Sequence, residues 1–149
     1  MRAAVQRVSQ AQVKVDGQVV GSISTGLLVY VGVGKDDAGD DVRYLSDKIA
    51  GLRIFNDAQG KMNRSVVEVG GGILVISAFA LQGDARKGRR PSFDPAAGPE
   101  LAESLYNQLC QELADRGLAV AHGVFRAHMD VASVNDGPIC ILLDSERAF

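Results

Sequence analysis

Two short apolar runs constrain the fold more than any other feature of the chain: Gly26-Leu-Leu-Val-Tyr-Val-Gly-Val33 and Ile73-Leu-Val-Ile-Ser77. Neither alternates with polar residues, so each reads as a strand covered on both faces. Such strands need apolar layers on either side, and the flanking segments supply them. Val5, Val8, Val13 and Val15 alternate with polar neighbours, and Asp16-Gly17 signals a hairpin before the run that starts at Val19. Val42, Leu45, Ile49 and Leu52 fall at helical spacing. Asp36, Asp37, Asp40 and Asp41 crowd the start of that helix, where carboxylates complement the dipole and cap free N–H groups. Asn56 to Gly60 forms a turn, and Gly70-Gly-Gly72 leads into the second buried strand.

A second helix begins at Pro99, carries Leu101, Leu105, Leu109 and Leu113 as one stripe, and ends at Gly117. Residues 118–125, 129–134 and 138–144 complete the strand set. The expected class is α+β: antiparallel-rich strands with two main helices, in one domain spanning residues 1–149.

Asn135-Asp-Gly-Pro138 lies between two of those strand-like runs. Asp-Gly alone would close a hairpin there, because glycine supplies the positive φ of a tight turn. Pro138 removes a donor, fixes its own φ, limits Gly137, and permits a cis peptide at low cost. Read alone, the tetrapeptide is an elaborate hairpin loop. Its backbone is nevertheless specified beyond what turning the chain requires.

Cys110 and Cys140 fall in a helix-like and a strand-like segment without CxxC spacing, so both are expected as reduced, buried thiols. No apolar stretch reaches the roughly 18 residues that a membrane span needs, and the first residues are unlike a signal peptide. The expected location is cytoplasmic. A net charge of −2 argues against a general nucleic-acid coat protein, though not against a local phosphate contact.

Asp84 to Gly98 lacks periodicity and forms a long loop, the kind that usually carries function or mobility. Arg86, Lys87, Arg89 and Arg90 place four cations there, fit either for phosphate or for a solvated loop. Phe93 beside them is an odd choice for a free loop unless it packs on the body or a partner. Ser77 ends a buried strand without a nucleophile-elbow motif and is expected to bond to backbone. His122, His128 and Asp130 match no familiar ligand spacing, and no metal is expected. Cys140, in an apolar strand, is expected to be a small core residue.

Together these segments resemble the D-aminoacyl-tRNA deacylases of the bacterial and eukaryotic type. The opening Met1-Arg-Ala-Ala-Val-Gln-Arg-Val8, the stretch Asp47 to Phe55 with Gly60-Lys-Met-Asn63, the loop Asp84 to Phe93, and Val134-Asn-Asp-Gly-Pro138 carry the likeness, which runs from residue 1 to about residue 145. The resemblance implies a layered β/β/α fold, no cofactor, and hydrolysis of the ester joining a D-amino acid or glycine to tRNA. It also implies a homodimer with active sites at the interface. Gly137-Pro138 would then be a cis dipeptide that one subunit inserts into the other's site, rejecting L-amino acids by a built-in clash. Arg7 would orient it, and Asn135 and Met129 would join the site that binds substrate and rejects L-amino acids. Main-chain N–H groups of Ser77, Ala78, Phe79 and Ala80 would stabilise the oxyanion, with the terminal 2′-hydroxyl of the tRNA assisting. Arg86, Lys87, Arg89 and Arg90 would contact the tRNA.

The chain departs from the family at three points: Ala78 and Ala80 stand where Gln and Thr are usual, and Cys140 where Thr is usual. Threonine as a covalent nucleophile is impossible at Ala80. The alternatives are a deacylase-fold RNA-binding protein with weakened catalysis, and a relative of relaxed chirality with a trans Gly-Pro bond.

Overall fold

The computed structural model describes residues 1–149. In chain order the elements are β1 (Arg2–Val15), β2 (Gln18–Ile23), β3 (Gly26–Gly32), α1 (Gly39–Gly51), β4 (Phe55–Asn56), β5 (Met62–Arg64), β6 (Gly72–Ser77), a 3₁₀ turn (Phe79–Gln82), α2 (Pro99–Asp115), β7 (Ala119–His122) and β8 (Asp130–Asp144). The main sheet runs β2-β1-β3-β6-β7, with β8 added along β1. Pairs involving β1 are antiparallel, whereas β3–β6 and β6–β7 are parallel. The sheet curls until β2 meets β7. At Gly21 a β-carbon would lie 2.7 Å from the His122 carbonyl oxygen, so glycine is required where the near-barrel closes.

The two unbroken apolar runs are the central strands β3 and β6, covered on both faces. Leu27, Val29, Val31, Ile73 and Val75 face the helices, where they pack with Val42, Leu45 and Ile49 of α1 and Leu105, Leu109 and Leu113 of α2. Leu28, Leu74 and Ile76 turn the other way and meet Val8, Ala11 and Val13 in a smaller inner core. This gives the β/β/α layering. Strand β1 serves both cores because its pairing with β8 breaks register between Gln6 and Val8 and again between Val8 and Gln10. A one-residue slip flips the side-chain parity, so Val8 and Val13 reach the same core.

Asp41 accepts the Ala38 N–H at 2.8 Å at the start of α1, while Asp37 turns back to accept the Gly34 N–H at 2.5 Å. Pro99 opens α2, and Gly117, at φ +82°, follows its C-terminal cap.

Four sequence expectations change. Residues 129–134 and 138–144 are not the arms of a hairpin: from Asp130 onward both belong to β8, and both pair with β1. The stretch 118–125 contributes only Ala119–His122 as strand. Leu101 is 38% exposed, so the buried stripe of α2 starts one turn later, at Leu105. Cys140 is exposed rather than a core residue, because β8 lies at the sheet edge and turns that face to solvent; Cys110 is half-buried.

Candidate active site

Asn135-Asp-Gly-Pro138 is a bulge. Gln6 pairs with Cys140 and Val8 with Asn135, so Asp136 through Ile139 loop out opposite the single residue Arg7. The Asn135 side chain clasps its base, with Oδ1 accepting the Ile139 N–H at 2.8 Å and Nδ2 donating to the Ile139 carbonyl at 3.1 Å. Arg7, itself buried, donates from Nε to the Asp136 carbonyl at 2.9 Å and from Nη1 to the Ile54 carbonyl at 2.6 Å. Gly137 sits at φ +151°, and a β-carbon there would lie 2.8 Å from both the Ile139 N and Cγ1. No other residue fits. The Gly137-Pro138 peptide is cis, and both residues are exposed.

A cavity of about 350 Å³ opens where β6 gives way to the 3₁₀ turn. Ser77, Ala78, Phe79, Ala80 and Met129 line it. Gly137, Pro138, Asn135 and Arg7 of the same chain do not. The predicted residues therefore fall into two groups: a cavity, to which Met129 belongs, and an exposed bulge elsewhere on the surface.

The backbone donors at the cavity are not equivalent. The Ala78 N–H is used by the sheet, donating to the Val31 carbonyl at 2.8 Å. The next intraturn bond starts only at Leu81, whose N–H donates to the Ala78 carbonyl at 3.1 Å. The N–H groups of Phe79 and Ala80 between them have no acceptor in the structure. Gln82 fixes the far end of the turn: its buried side chain donates from Nε2 to the Gly32 carbonyl at 2.8 Å. The Ser77 hydroxyl makes no hydrogen bond, contrary to its expected backbone contact, and faces the cavity. Neither histidine lines the cavity. His122 Nδ1 is 2.9 Å from the Gly123 carbonyl, and His128 sits at the surface, 95% exposed, with Nε2 3.7 Å from Asp130 Oδ1.

The stretch after β7 completes the cavity with Phe125, Arg126, Ala127 and Met129, none of them but Met129 singled out from sequence. Arg126 holds φ +66°, a left-handed conformation uncommon outside glycine, beside the cavity mouth. Gly123 makes room for Met129, since a β-carbon there would fall 2.4 Å from the Met129 sulfur. Gly123, directly after β7, was the signal available in the sequence.

The loop Asp84–Phe93 is pinned at its base by reciprocal bonds between Asp84 and Ser92, at 2.8 and 2.9 Å. Arg86 grips Asp84 through two nitrogens, at 2.9 and 2.6 Å, and holds that carboxyl well below the usual carboxylate range. Arg86 is thus neutralised within the loop. Lys87, Arg89 and Arg90 are exposed, and no carboxylate pairs with them. Phe93 packs its ring against Phe79, edge to face, with centroids 4.9 Å apart.

A nearly closed mixed sheet with two helices on one face, and a cavity bordered by free backbone amides, define an α+β class with known relatives. The family model described as D-Tyr-tRNA(Tyr) deacylase matches residues 4–144. A D-aminoacyl-tRNA deacylase of Anaeromyxobacter dehalogenans (strain 2CP-C) is 60% identical over 149 residues, covering all of both chains. One of Thermotoga petrophila is 55% identical over the same span, again covering all of both. Among solved structures, a chain described as c-Myc DNA Unwinding Element Binding Protein aligns with TM-score 0.91 and 36% identity, over 97% of this chain and 98% of that one. A probable eukaryotic D-amino acid tRNA deacylase shares the fold at TM-score 0.81 and 19% identity, over 95% and 97% of the two chains. The chain belongs to the D-Tyr-tRNA(Tyr) deacylase family.

Proposed function

We propose that this protein is a D-aminoacyl-tRNA deacylase, an ester hydrolase that releases the free D-amino acid and tRNA. Full-length identity with relatives of that one name supports the activity. The observation that carries the mechanism is the pair of unengaged Phe79 and Ala80 N–H groups at the cavity. Water adds to the ester carbonyl, negative charge develops on its oxygen, and two fixed donors stabilise that charge. They act without the Ala78 or Ala80 side chains, so both departures from the family are compatible with turnover. The terminal 2′-hydroxyl of the tRNA takes the place of a protein base. The Ser77 hydroxyl is available for orientation.

Chirality is read by the bulge of a second copy. Gly137-Pro138 is exposed and lies outside its own cavity, braced by Arg7 and Asn135, which supports delivery across a homodimer interface. Its carbonyls crowd the space of an L side chain, while a D side chain or glycine is free of them. Strand β8 offers an unpaired outer edge with Val134 and Leu142 exposed, as a subunit contact requires. Lys87, Arg89 and Arg90 contact tRNA phosphates. The 149 residues work as one domain in the cytoplasm, where charged tRNA is found; no helix is long and apolar enough to cross a membrane.

The test is a deacylation time course on D-tyrosyl-, L-tyrosyl- and glycyl-tRNA. Hydrolysis of the D and glycyl esters with the L ester spared is expected. If the D ester decays no faster than without protein, the reading of a catalytically silent RNA-binding protein takes over. Equal loss of D and L esters would remove the bulge from the account of selectivity.

A further inference from the structure

We infer that Phe93 is a positioning residue: from the basic loop it fixes Phe79, and so aims the free Phe79 and Ala80 N–H groups into the cavity. The inference rests on the deacylase reading and deepens it.

Phe79 carries one of the two free amides in its own backbone, yet its ring is 60% exposed. An exposed side chain cannot hold a turn in place by burial. The one aromatic contact on that ring is the Phe93 edge, 4.9 Å between centroids at 66°. Phe93 is in turn placed by two features. The Asp84–Ser92 bridge closes the loop one residue before it. Gly83 leaves the space its ring occupies, because a β-carbon there would lie 3.0 Å from Phe93 Cε1 and 2.9 Å from the Ala80 carbonyl oxygen. That carbonyl accepts the Gly83 N–H at 2.9 Å, which closes the turn bearing the free amides. Gly83 is therefore the point where the loop and the turn touch.

The same loop presents Lys87, Arg89 and Arg90 to solvent, a few residues before Phe93. The cations engage a polyanion. Phe93 sets the geometry at the ester carbonyl and takes no part in holding phosphate. The two roles separate when the substrate lacks phosphate.

The experiment measures kcat and KM for D-tyrosyl-tRNA and for D-tyrosyl-adenosine, which has no phosphate. Four proteins are compared: wild type, Phe93→Ala, Phe93→Tyr, and the triple Lys87→Ala/Arg89→Ala/Arg90→Ala. A misplaced catalytic dipole costs up to about 100-fold, so Phe93→Ala is expected to lower kcat by at least about tenfold on both substrates with KM little changed. Phe93→Tyr keeps the ring edge and is expected to restore kcat. The triple variant is expected to raise KM for the tRNA alone and to weaken its salt dependence. Gly83→Ala, which displaces ring and turn together, should reproduce the Phe93→Ala loss on both substrates; should Phe93→Ala fail to fold, Gly83→Ala and Phe93→Tyr carry the test. A Phe93→Ala effect on tRNA only, or on KM only, overturns the inference and makes Phe93 an RNA contact. Unchanged kcat in folded Phe93→Ala overturns it as well. Those outcomes presuppose a wild type that hydrolyses the D ester; an inactive wild type overturns the deacylase reading first, and this inference with it.

Discussion

Gly123 has no room for a β-carbon, and that vacancy is filled by the Met129 sulfur. The residue pair sets how far Met129 protrudes into the cavity. Gly123→Ala is expected to push the thioether toward Ser77 and to lower kcat/KM for D-tyrosyl-tRNA by about tenfold, with the double change Gly123→Ala/Met129→Ala recovering most of it. Steady-state kinetics of the three proteins checks this. Ser77→Ala is expected to change kcat by less than about tenfold, well under the effect of losing an oxyanion donor. A larger loss would return the hydroxyl to the chemistry. Arg7 makes the opposite point about charge. It is a buried cation whose recorded role is to hold two backbone carbonyls, with the partly exposed Asp136 carboxylate 3.3 Å from Nε. Those partners explain why a buried arginine is tolerated in the first strand.

At the scale of elements, the bulge in β8 is a loop held shut by one side chain. Asn135→Ala removes two hydrogen bonds at its base, at an expected cost of about 1–2 kcal/mol. It should release hydrolysis of L-tyrosyl-tRNA while leaving the D ester nearly unaffected, which the same deacylation assay reads. Helix α2 carries a pH effect. Burial pushes the Cys110 thiol up to about 11 and raises the Tyr106 hydroxyl too, whose O–H donates to the Val75 carbonyl at 2.8 Å. Both groups are raised in the fold: the Cys110 contribution is complete below the ordinary thiol value and is lost as pH rises toward about 11, and that of Tyr106 is lost only at higher pH. Denaturant midpoints should fall across that window, and Cys110→Ala should flatten the fall.

These elements also mark how far the sequence could be read. Both helices followed from apolar spacing, and both central strands from unbroken apolar runs, because burial on one or two faces leaves a period in the chain. Strand β8 escaped because Asn-Asp-Gly-Pro is equally good chemistry for a turn and for a loop pushed out of one strand. Only the partner strand distinguishes them, and pairing with β1 is not local information. Cys140 departs from expectation for a related reason: an apolar run does not reveal that its strand lies at the sheet edge with one face open. Ser77, Phe79 and Met129 did converge on one cavity, while the loss of Ala78 as a donor required knowing that Val31 lies beside it.

For the whole molecule, the separation of bulge and cavity makes chiral discrimination a property of the dimer proposed above. Leu142 is 56% exposed on the outer edge strand, and Leu142→Arg should part the copies. The expected result is a monomer by sedimentation that keeps its fold by circular dichroism. If the partner's dipeptide supplies the gate, as proposed, discrimination between D and L esters should collapse in this state at the same protein concentration. The near-barrel itself should survive, because both cores are completed within one chain.

The cavity lining has a further consequence. Arg126 is its one ionisable side chain; no histidine, carboxylate, lysine or cysteine borders it. The α-amino group of an aminoacyl ester titrates near neutrality, and hydroxide supply rises with every pH unit. Rate against pH should therefore trace the titration of the substrate and solvent, with no bell drawn by the protein.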